Sequence, residues 1–290
     1  MKQLLILSGK GGTGKTTIAS AFIKLANAQA FADCDVDAPN LHLIMNQIGE
    51  PIRSDYYGLD KARINVEKCI GCGICQQNCR FDAILEKDGV YEVDSFGCEG
   101  CSVCEALCPA NAVEMIPVIA GELMLYKKDE AVFSTAQLKM GSGTTGMLVT
   151  RVKNQMRDAA DPQTELAIID GSPGIGCPVI ASLSGVDMVL IVAEPSLSGI
   201  SDMERIVKTA RQFGVKMAIC VNKYDTNLSN TQKIKDYCGL ENIFFAGTVP
   251  FDENAGKAIN KGLSVVDIPC PAQEAVSDLY STTMKLIKSI

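Results

Sequence analysis

The sequence contains no tryptophan and only one histidine, His42, among its 290 residues. Catalysis that depends on histidine therefore has little support. No stretch approaches the ~20 apolar residues that a transmembrane helix needs, so no membrane-spanning helix is expected. The first residues, MKQLLILSGKGG, have no small-residue cleavage site and do not resemble a secretory signal peptide.

An excess of positive charge is also missing, since 27 Lys and Arg face 34 Asp and Glu, a net charge of −7. This balance argues against nonspecific binding to nucleic acid or to anionic membranes, and we expect neither as a partner. What the chain does have is 13 cysteines. Without an export signal, these point to the cytoplasm and to metal ligation rather than to disulfides.

The stretch from Ile6 to Thr17, ILSGKGGTGKTT, lies between a predicted buried strand and a predicted helix. It satisfies the pattern G-x-x-x-x-G-K-[ST] with Gly9, Lys10, Gly11, Gly12, Thr13, Gly14, Lys15 and Thr16, followed by Thr17. The glycines let backbone N–H groups turn towards a polyphosphate at a helix N-terminus, where the macrodipole favours negative charge. Lys15 can reach the β- and γ-phosphates, and the Thr16 hydroxyl can bind Mg²⁺. The stretch predicts a nucleotide-phosphate site rather than a glycine-rich turn with a chance lysine.

Aspartates end two of the predicted strands. Asp33 and Asp35 alternate at the end of the second strand, so their side chains lie on one side of an extended segment. Asp170 ends the buried run LAIID and is followed by GSPGIG, which has the form of a Walker B aspartate leading into a mobile switch. We predict that Asp33 and Asp170 lie at the Mg²⁺ site. The alternatives are a solvated acidic loop and a strand that merely ends in aspartate.

Eight of the cysteines lie in two runs between Ile64 and Ile116. Both runs have the C-x₂-C-x₂-C-x₃-C spacing of two-cluster bacterial ferredoxins, in which the fourth cysteine binds the other run's cluster. We predict one [4Fe–4S] cluster at Cys69, Cys72, Cys75 and Cys108, and a second at Cys98, Cys101, Cys104 and Cys79. Disulfides and zinc are the alternatives, although zinc sites are usually built from two ligand pairs.

Strands that alternate with helices predict an α/β fold with a mostly parallel, doubly wound P-loop sheet. We assign residues 1–61 and 119–290 to this ATPase domain. Residues 62–118 are assigned to an inserted small α+β unit of the bacterial-ferredoxin type. Residues 51 to about 62 show no regular pattern and are predicted to be irregular.

The nucleotide should bind where the parallel strands end. Two of these strand ends, VNKYD and TVPFD, can supply contacts to the base. Asn222 offers an amide to the adenine edge, and Pro250 and Phe251 can wall the ring.

With Lys10 before its glycine pair, KGGTGKTT resembles the deviant Walker A motif of the SIMIBI group, which includes MinD, ParA, Mrp-type iron–sulfur carriers and the nitrogenase iron protein. With the cysteine-rich insert, the whole chain resembles MinD-superfamily P-loop ATPases that carry an inserted ferredoxin domain. The resemblance implies binding of ATP or ADP with Mg²⁺ and hydrolysis in a homodimer. It implies that Lys10 reaches the partner's nucleotide, that Lys15 binds phosphate, and that Asp35 orients the attacking water.

Two features of these families are altered or missing. Cys177 falls seven residues after Asp170, like a cysteine that binds the bridging cluster of the nitrogenase iron protein, but Thr144 stands near the place of the second ligand. Cys177 is therefore either a bridging ligand or a buried structural thiol. The amphipathic C-terminal helix of MinD and the C-terminal C-x-x-C of many Mrp-type carriers are not evident.

These features predict an ATP-dependent dimer switch coupled to electron transfer from two [4Fe–4S] clusters to a redox partner. An iron–sulfur or metallocofactor assembly factor is the alternative. Positioning of the MinD or ParA kind is a third class, which the acidic composition disfavours.

Overall fold

The computed structural model describes residues 1–44 and 49–290. Within these ranges the strands, in chain order, are β1 (Lys2–Leu7), β2 (Ala30–Asp33), β3 (Ile52–Tyr57), β4 (Lys61–Ile64), β5 (Ile84–Lys87), β6 (Val90–Val93), β7 (Val113–Ile116), β8 (Ile119–Lys128), β9 (Ala131–Leu138), β10 (Leu166–Asp170), β11 (Met188–Ala193), β12 (Lys216–Asn222) and β13 (Phe244–Val249).

The α-helices of the same ranges are α1 (Lys15–Leu25), α2 (Leu41–Ile44), α3 (Ile74–Gln77), α4 (Val103–Leu107), α5 (Thr145–Ala159), α6 (Cys177–Leu183), α7 (Leu197–Gln212), α8 (Leu228–Leu240), α9 (Glu253–Asn260) and α10 (Pro271–Lys288). Two 3₁₀ turns cover Tyr224–Thr226 and Val265–Asp267. None of the helices in the described part of the chain is long and apolar enough to cross a membrane.

One nine-stranded sheet, ordered β13-β12-β11-β1-β10-β2-β9-β8-β3, forms the centre of the fold. Its strands are parallel from β13 to β9. At one edge β8 pairs antiparallel with β9, and β3 pairs antiparallel with β8. The predicted α/β fold with a mostly parallel sheet is confirmed. The central strands are buried on both faces, which explains their continuous apolar runs, such as MVLIVA in β11.

The prediction of irregular structure over residues 51 to about 62 is wrong. β3 pairs with β8 from Ile52 to Tyr57, and β4 begins at Lys61. Five of the six β3 residues are exposed, because β3 is an edge strand. An exposed edge strand has no alternating apolar pattern to reveal it.

Helices cover both faces of the large sheet and bury two apolar layers. α5, α6, α7 and α8 pack on one face, where Leu148, Met156 and Ile206 are buried. α1 and α10 pack on the other, and Phe22 meets Tyr280 edge to face with ring centroids 5.3 Å apart. Val276 and Leu279 of α10 are buried, so the last helix packs in the core.

Two further small sheets lie between Lys61 and Ile116. β4 pairs with β7, and β5 pairs with β6 about a turn at Asp88 and Gly89, where both residues have positive φ. This part of the chain has its own small core, formed by Ala62, Ala83, Cys98 and Val113. The structure thus has a distinct pair of antiparallel ribbons where the sequence predicts an insert.

Candidate nucleotide site and cysteine-lined cavities

The glycine-rich loop connects β1 to α1 and is held from the side by the end of β12. Gly14 has φ 92°, and a Cβ at this position would lie 2.1 Å from Asn222 Nδ2, so a side chain does not fit here. Asn222 Nδ2 donates to the Thr13 carbonyl at 2.7 Å, and Lys223 Nζ donates to the Gly12 carbonyl at 2.9 Å. These bonds fix the loop carbonyls and leave its N–H groups for an anion.

Lys15, Thr16 and Asp170 form one buried polar group at the start of α1. Lys15 Nζ lies 2.6 Å from Asp170 Oδ1, and the Thr16 hydroxyl donates to Asp170 Oδ2 at 2.7 Å. Burial acts to lower the pKa of Lys15, but the carboxylates of Asp170 and Asp33 outweigh it and raise the pKa above its usual value. Lys15 is therefore a fixed cation, and Asp170 a carboxylate adjoining the predicted Mg²⁺ ligand Thr16.

Asp33 lies at the end of β2, fully buried beside this group. Its Oδ1 accepts the Asp35 N–H at 3.0 Å, and its Oδ2 accepts the N–H groups of Asn40 and Leu41, each at 3.0 Å. Burial and the neighbouring Asp170 carboxylate raise the pKa of Asp33 to about 7. Asp33 thus fixes the segment that contains Asp35 through hydrogen bonds. Its role near Mg²⁺ stays a prediction.

Asp35 is half-buried. Burial raises the pKa of Asp35 above its usual value, and Lys15 partly opposes the effect. By contrast, Asp37 is exposed. The charges of Asp33, Asp35 and Asp170 each raise the pKa of Lys15, which places the four groups near one another at one end of the sheet.

Lys10 is engaged within its own chain. Its Nζ lies 2.9 Å from Glu194 Oε2 and donates to Ser196 Oγ at 3.3 Å and Ser198 Oγ at 3.4 Å. Glu194 follows β11, and its Oε1 lies 3.9 Å from Lys223 Nζ. The side chain of Lys10 is 34% exposed, so it is accessible at the surface of the site.

A cavity next to the glycine-rich loop can take the nucleoside. It is lined by Gly12, Gly14, Thr17, Asn222, Pro250 and Phe251, among others. The Phe251 N–H donates to Asp225 Oδ1 at 2.8 Å, which fixes the loop after β13. Because Asn222 Nδ2 binds the Thr13 carbonyl, Oδ1 is the Asn222 atom that can accept a hydrogen bond from a base.

The eight cysteines of the two runs line two separate cavities. The first is lined by Cys69, Cys72, Cys75 and Cys108, and the second by Cys79, Cys98, Cys101 and Cys104. Each cavity thus combines three cysteines of one run with the fourth of the other. The grouping is the same as the one that the spacing predicts.

The backbone around the two cavities repeats the same conformations. Gly71 and Gly100, at equivalent positions of the two runs, have φ 67° and 69°, and Gly73 and Ser102 have φ 71° and 61°. The fourth cysteines are also equivalent, because the Ala83 N–H donates to Cys79 Sγ at 3.4 Å and the Ala112 N–H to Cys108 Sγ at 3.2 Å. N–H groups that point at sulfur are suited to stabilise a bound thiolate.

Each cavity offers four cysteine thiols, a donor set of the kind that holds an iron–sulfur cluster. Across the described part of the chain, no three His, Cys, Asp or Glu side chains converge closely enough to hold one ion. Thiolates on a cubic cluster bind separate irons and stand further apart than ligands of one ion.

The comparison with known families concerns the whole chain. Residues 4–265 match the family described as the CobQ/CobB/MinD/ParA nucleotide binding domain. The chain belongs to this family. The family part of the resemblance, a MinD/ParA-type nucleotide-binding protein, is therefore confirmed.

Relatives and solved structures cover nearly the full length. An uncharacterized protein of Methanocaldococcus jannaschii is 31% identical over 98% of this chain and 97% of its own. An iron–sulfur cluster carrier protein of Methanococcus maripaludis is 20% identical over 99% of this chain and 85% of its own. The septum site-determining protein MinD of Pyrococcus horikoshii, solved with Mg-ADP, has a TM-score of 0.59 at 14% identity and covers 98% of this chain and 96% of its own.

Some residues of the site escape the sequence analysis of this MinD/ParA-type chain. Glu194 and Lys223 each directly follow a parallel strand, and that position is the signal that could have identified them. Lys153 of α5 gives no such signal. Its buried amine donates to the carbonyls of Ala181 and Ser182 at the end of α6, and burial lowers its pKa to about 8.

The structure also tests one of the two interpretations of Cys177, that of a buried structural thiol. Cys177 is the first residue of α6 and is exposed, so its interpretation as a buried structural thiol is wrong. Thr144 precedes α5, and the neighbouring Gly146 approaches Cys177 closely, since a Cβ at Gly146 would lie 3.4 Å from Cys177 Cβ.

Proposed function

We propose that this P-loop protein hydrolyses ATP and uses the nucleotide state to control electron transfer through two [4Fe–4S] clusters to a redox partner protein. The observation that carries the proposal is the pair of cavities, each lined by four cysteines, in the same chain as the nucleotide site. When bound, such clusters supply one-electron transfer. In this proposal residues 62–118 are a ferredoxin domain inserted into the ATPase domain.

In the ATPase domain, the loop N–H groups and Lys15 bind the phosphates, while Thr16, Asp33 and Asp170 serve Mg²⁺. Entry of Mg-ATP draws Lys15 away from Asp170, because the phosphates offer more negative charge than one carboxylate. Asp170 is thereby released towards the metal, and Gly171 and Gly174 after it are free to rearrange. Asp35 orients the water that attacks the γ-phosphate.

Hydrolysis in this proposal requires two copies of the chain. Lys10, now paired with Glu194, turns to the nucleotide of the partner copy when the two subunits close on ATP. Its partial exposure permits this movement, because only a surface ion pair has to break. We infer an ATP-dependent homodimer of a cytoplasmic protein, with neither nucleic acid nor membrane as a partner.

The test uses the full-length protein, loaded with iron and sulfide under anaerobic conditions. We expect two [4Fe–4S] clusters per chain, and electron delivery to a redox protein captured from the native host in the presence of ATP. Asp35→Asn should abolish hydrolysis, whereas the neighbouring Asp37→Asn, which changes an exposed carboxylate, should leave it unchanged. Electron delivery that is the same with ATP, with ADP and without nucleotide would overturn the coupling.

A second candidate function is assembly, in which the protein delivers clusters instead of using them. The observation that favours it is the full-length similarity to a protein named an iron–sulfur cluster carrier. The test offers the loaded protein an apo-ferredoxin as acceptor, with and without ATP. Transfer of iron and sulfide to the acceptor supports assembly, and clusters that stay bound support electron transfer.

A further inference from the structure

The two cysteine-lined cavities differ in how they meet the nucleotide-binding part of the fold. The cavity of Cys79, Cys98, Cys101 and Cys104 is here called the inner cavity. A Cβ at Gly100 would lie 2.4 Å from the Asp60 carbonyl and 3.0 Å from Leu59 Cβ, so this cysteine run packs against the segment that leaves β3. Lys61 Nζ also donates to the Cys98 carbonyl.

Residues that flank Cys98 of the inner cavity also contact the loop 139–144, which connects β9 to α5. A Cβ at Gly141 would lie 3.0 Å from the Phe96 ring, and a Cβ at Gly143 would lie 2.5 Å from Glu99 Oε2. Phe96 and Glu99 flank Cys98, the first cysteine of the second run. The loop and the second cysteine run are therefore in direct contact.

The same loop leads into α5, and the first turn of α5 contacts the segment that follows Asp170. Gly146, in the first turn of α5, contacts Cys177 at the start of α6, where a Cβ would lie 3.2 Å from the Cys177 carbonyl oxygen. On the far side of that segment, the Gly174 N–H donates to the carbonyl of Ser8 at the edge of the P-loop at 3.0 Å. Lys153 ties α5 to the end of α6 through the Ser182 and Ser184 carbonyls at 2.7 and 2.5 Å.

The cavity of Cys69, Cys72, Cys75 and Cys108 has no comparable connection; it is here called the outer cavity. In the described structure, the hydrogen bonds of residues 65–75 and 105–112 stay between β4 and β7 and the loops joining them. A Cβ at Gly71 would meet only the Gly89 carbonyl, at 3.8 Å. Ile70, which lines this cavity, is 68% exposed.

We propose that the loop 139–144 transmits the nucleotide state to the inner cysteine site, and that the outer site does not respond to nucleotide and faces the redox partner. This inference rests on the proposed function and assigns different roles to the two sites. Movement of the segment after Asp170 shifts the start of α6, which displaces α5 and its preceding loop against Phe96 and Glu99. The inner site lies at the end of this path, whereas the outer site has no contact with it in the described part of the chain.

The test compares amide hydrogen exchange in the full-length, cluster-loaded protein with and without Mg²⁺ and a non-hydrolysable ATP analogue. Protection of residues 9–17 reports that the analogue is bound. We expect exchange in residues 94–101 and 139–146 to change by about fivefold or more, the low end of typical couplings between sites, and exchange in residues 66–75 to stay constant. A redox titration followed by electron paramagnetic resonance should show a nucleotide-dependent potential for one cluster only.

Two substitutions separate the sites. Phe96→Ala removes a side chain that is 71% exposed, so it should leave folding and cluster content intact while abolishing the response of residues 94–101. The response of residues 170–177 should persist in this variant. Val66→Ala, which removes a 57% exposed side chain from the segment before Cys69, is the matched control near the outer site and should leave every response unchanged. Glu99→Gln, which keeps the size of the side chain next to Gly143, tests the second contact.

Equal responses of the two cysteine segments, or a response in neither while residues 9–17 are protected, would overturn the inference. So would a Phe96→Ala protein that responds like the wild type. These outcomes are distinct from failure of the proposed function. If nucleotide changes the inner segment but never alters electron delivery to a partner, the coupling path stands and the electron-transfer role fails.

Discussion

The buried ion pair between Lys15 and Asp170 should make a large and pH-dependent contribution to the stability of the nucleotide-free protein. The perturbation is Lys15→Met, which keeps the length of the side chain and removes its charge. The Lys15 side chain is 5% exposed and that of Asp170 is fully buried. Removal of one partner from such a pair leaves an uncompensated charge, so we expect a loss of about 3–5 kcal/mol at pH 8.

The loss should shrink at lower pH. The pKa of Asp33 in the folded wild type is raised to about 7 by burial and by Asp170, against an ordinary value of 3.8, and Lys15 opposes this rise. Without Lys15 the pKa of Asp33 rises further. The folded variant therefore binds a proton that the unfolded chain releases, and its stability falls relative to the wild type as the pH rises through and above 7. At pH 5 Asp33 is protonated in both folded proteins, so its part of the loss disappears and only the part from the unpaired, buried Asp170 remains.

Lys24→Met supplies the control from the same helix. Lys24 pairs with Asp267 at 2.5 Å, but the two side chains are 31% and 28% exposed. Such a surface pair contributes about 0–1 kcal/mol. The assay is urea unfolding in the presence of a chelator and without nucleotide, followed by amide hydrogen exchange in β1 and β10. Equal losses for the two variants, or a Lys15→Met loss that is constant from pH 5 to 8, would refute this reasoning.

Three other substitutions test the remaining contacts of the site. Asn222→Ala removes the buried bond to the Thr13 carbonyl, a change of about 1–3 kcal/mol, and should weaken binding of a fluorescent ATP analogue about tenfold in a titration. Glu194→Gln releases Lys10 from a partly exposed ion pair. Analytical sedimentation of the protein with ATP should therefore show a modest rise in the dimerisation constant, by at most about fivefold. Lys153→Met removes a group whose folded pKa is lowered to about 8, so the wild type should gain stability relative to the variant between pH 8 and 10.5 in urea unfolding.

The sequence predicts those parts of the fold whose signals are local. β1, β10 and β11 are continuous apolar runs because parallel strands at the centre of a sheet are buried on both faces. β3 was not predicted, since its residues are mostly exposed and its place at the sheet edge depends on pairing with β8. The cysteine sets that line the two cavities are those of the two-cluster ferredoxin pattern, in which the fourth cysteine of each run joins the other run's set.

Contacts between distant segments explain why part of the site could not be predicted. Lys10 was identified from its place in the P-loop, but its partner Glu194 comes from the end of β11 and approaches only when β11 lies beside β1. Lys153 occupies an ordinary position of an amphipathic helix. Its role depends on the end of α6, which packs against α5 only in the folded chain.

The contacts of Lys15 and Thr16 also indicate where a nucleotide can act. Lys15 and Thr16 both bind Asp170, so the groups predicted to receive phosphate and Mg²⁺ are engaged with one carboxylate at the end of β10. In the proposed mechanism Mg-ATP replaces these bonds, and the chain that follows Asp170 is the first backbone to respond. That chain leads within seven residues to Cys177 and to the contact with Gly146. The coupling that we propose between nucleotide binding and the packing of α6 on α5 therefore runs through segments in direct contact and requires no rearrangement of the sheet.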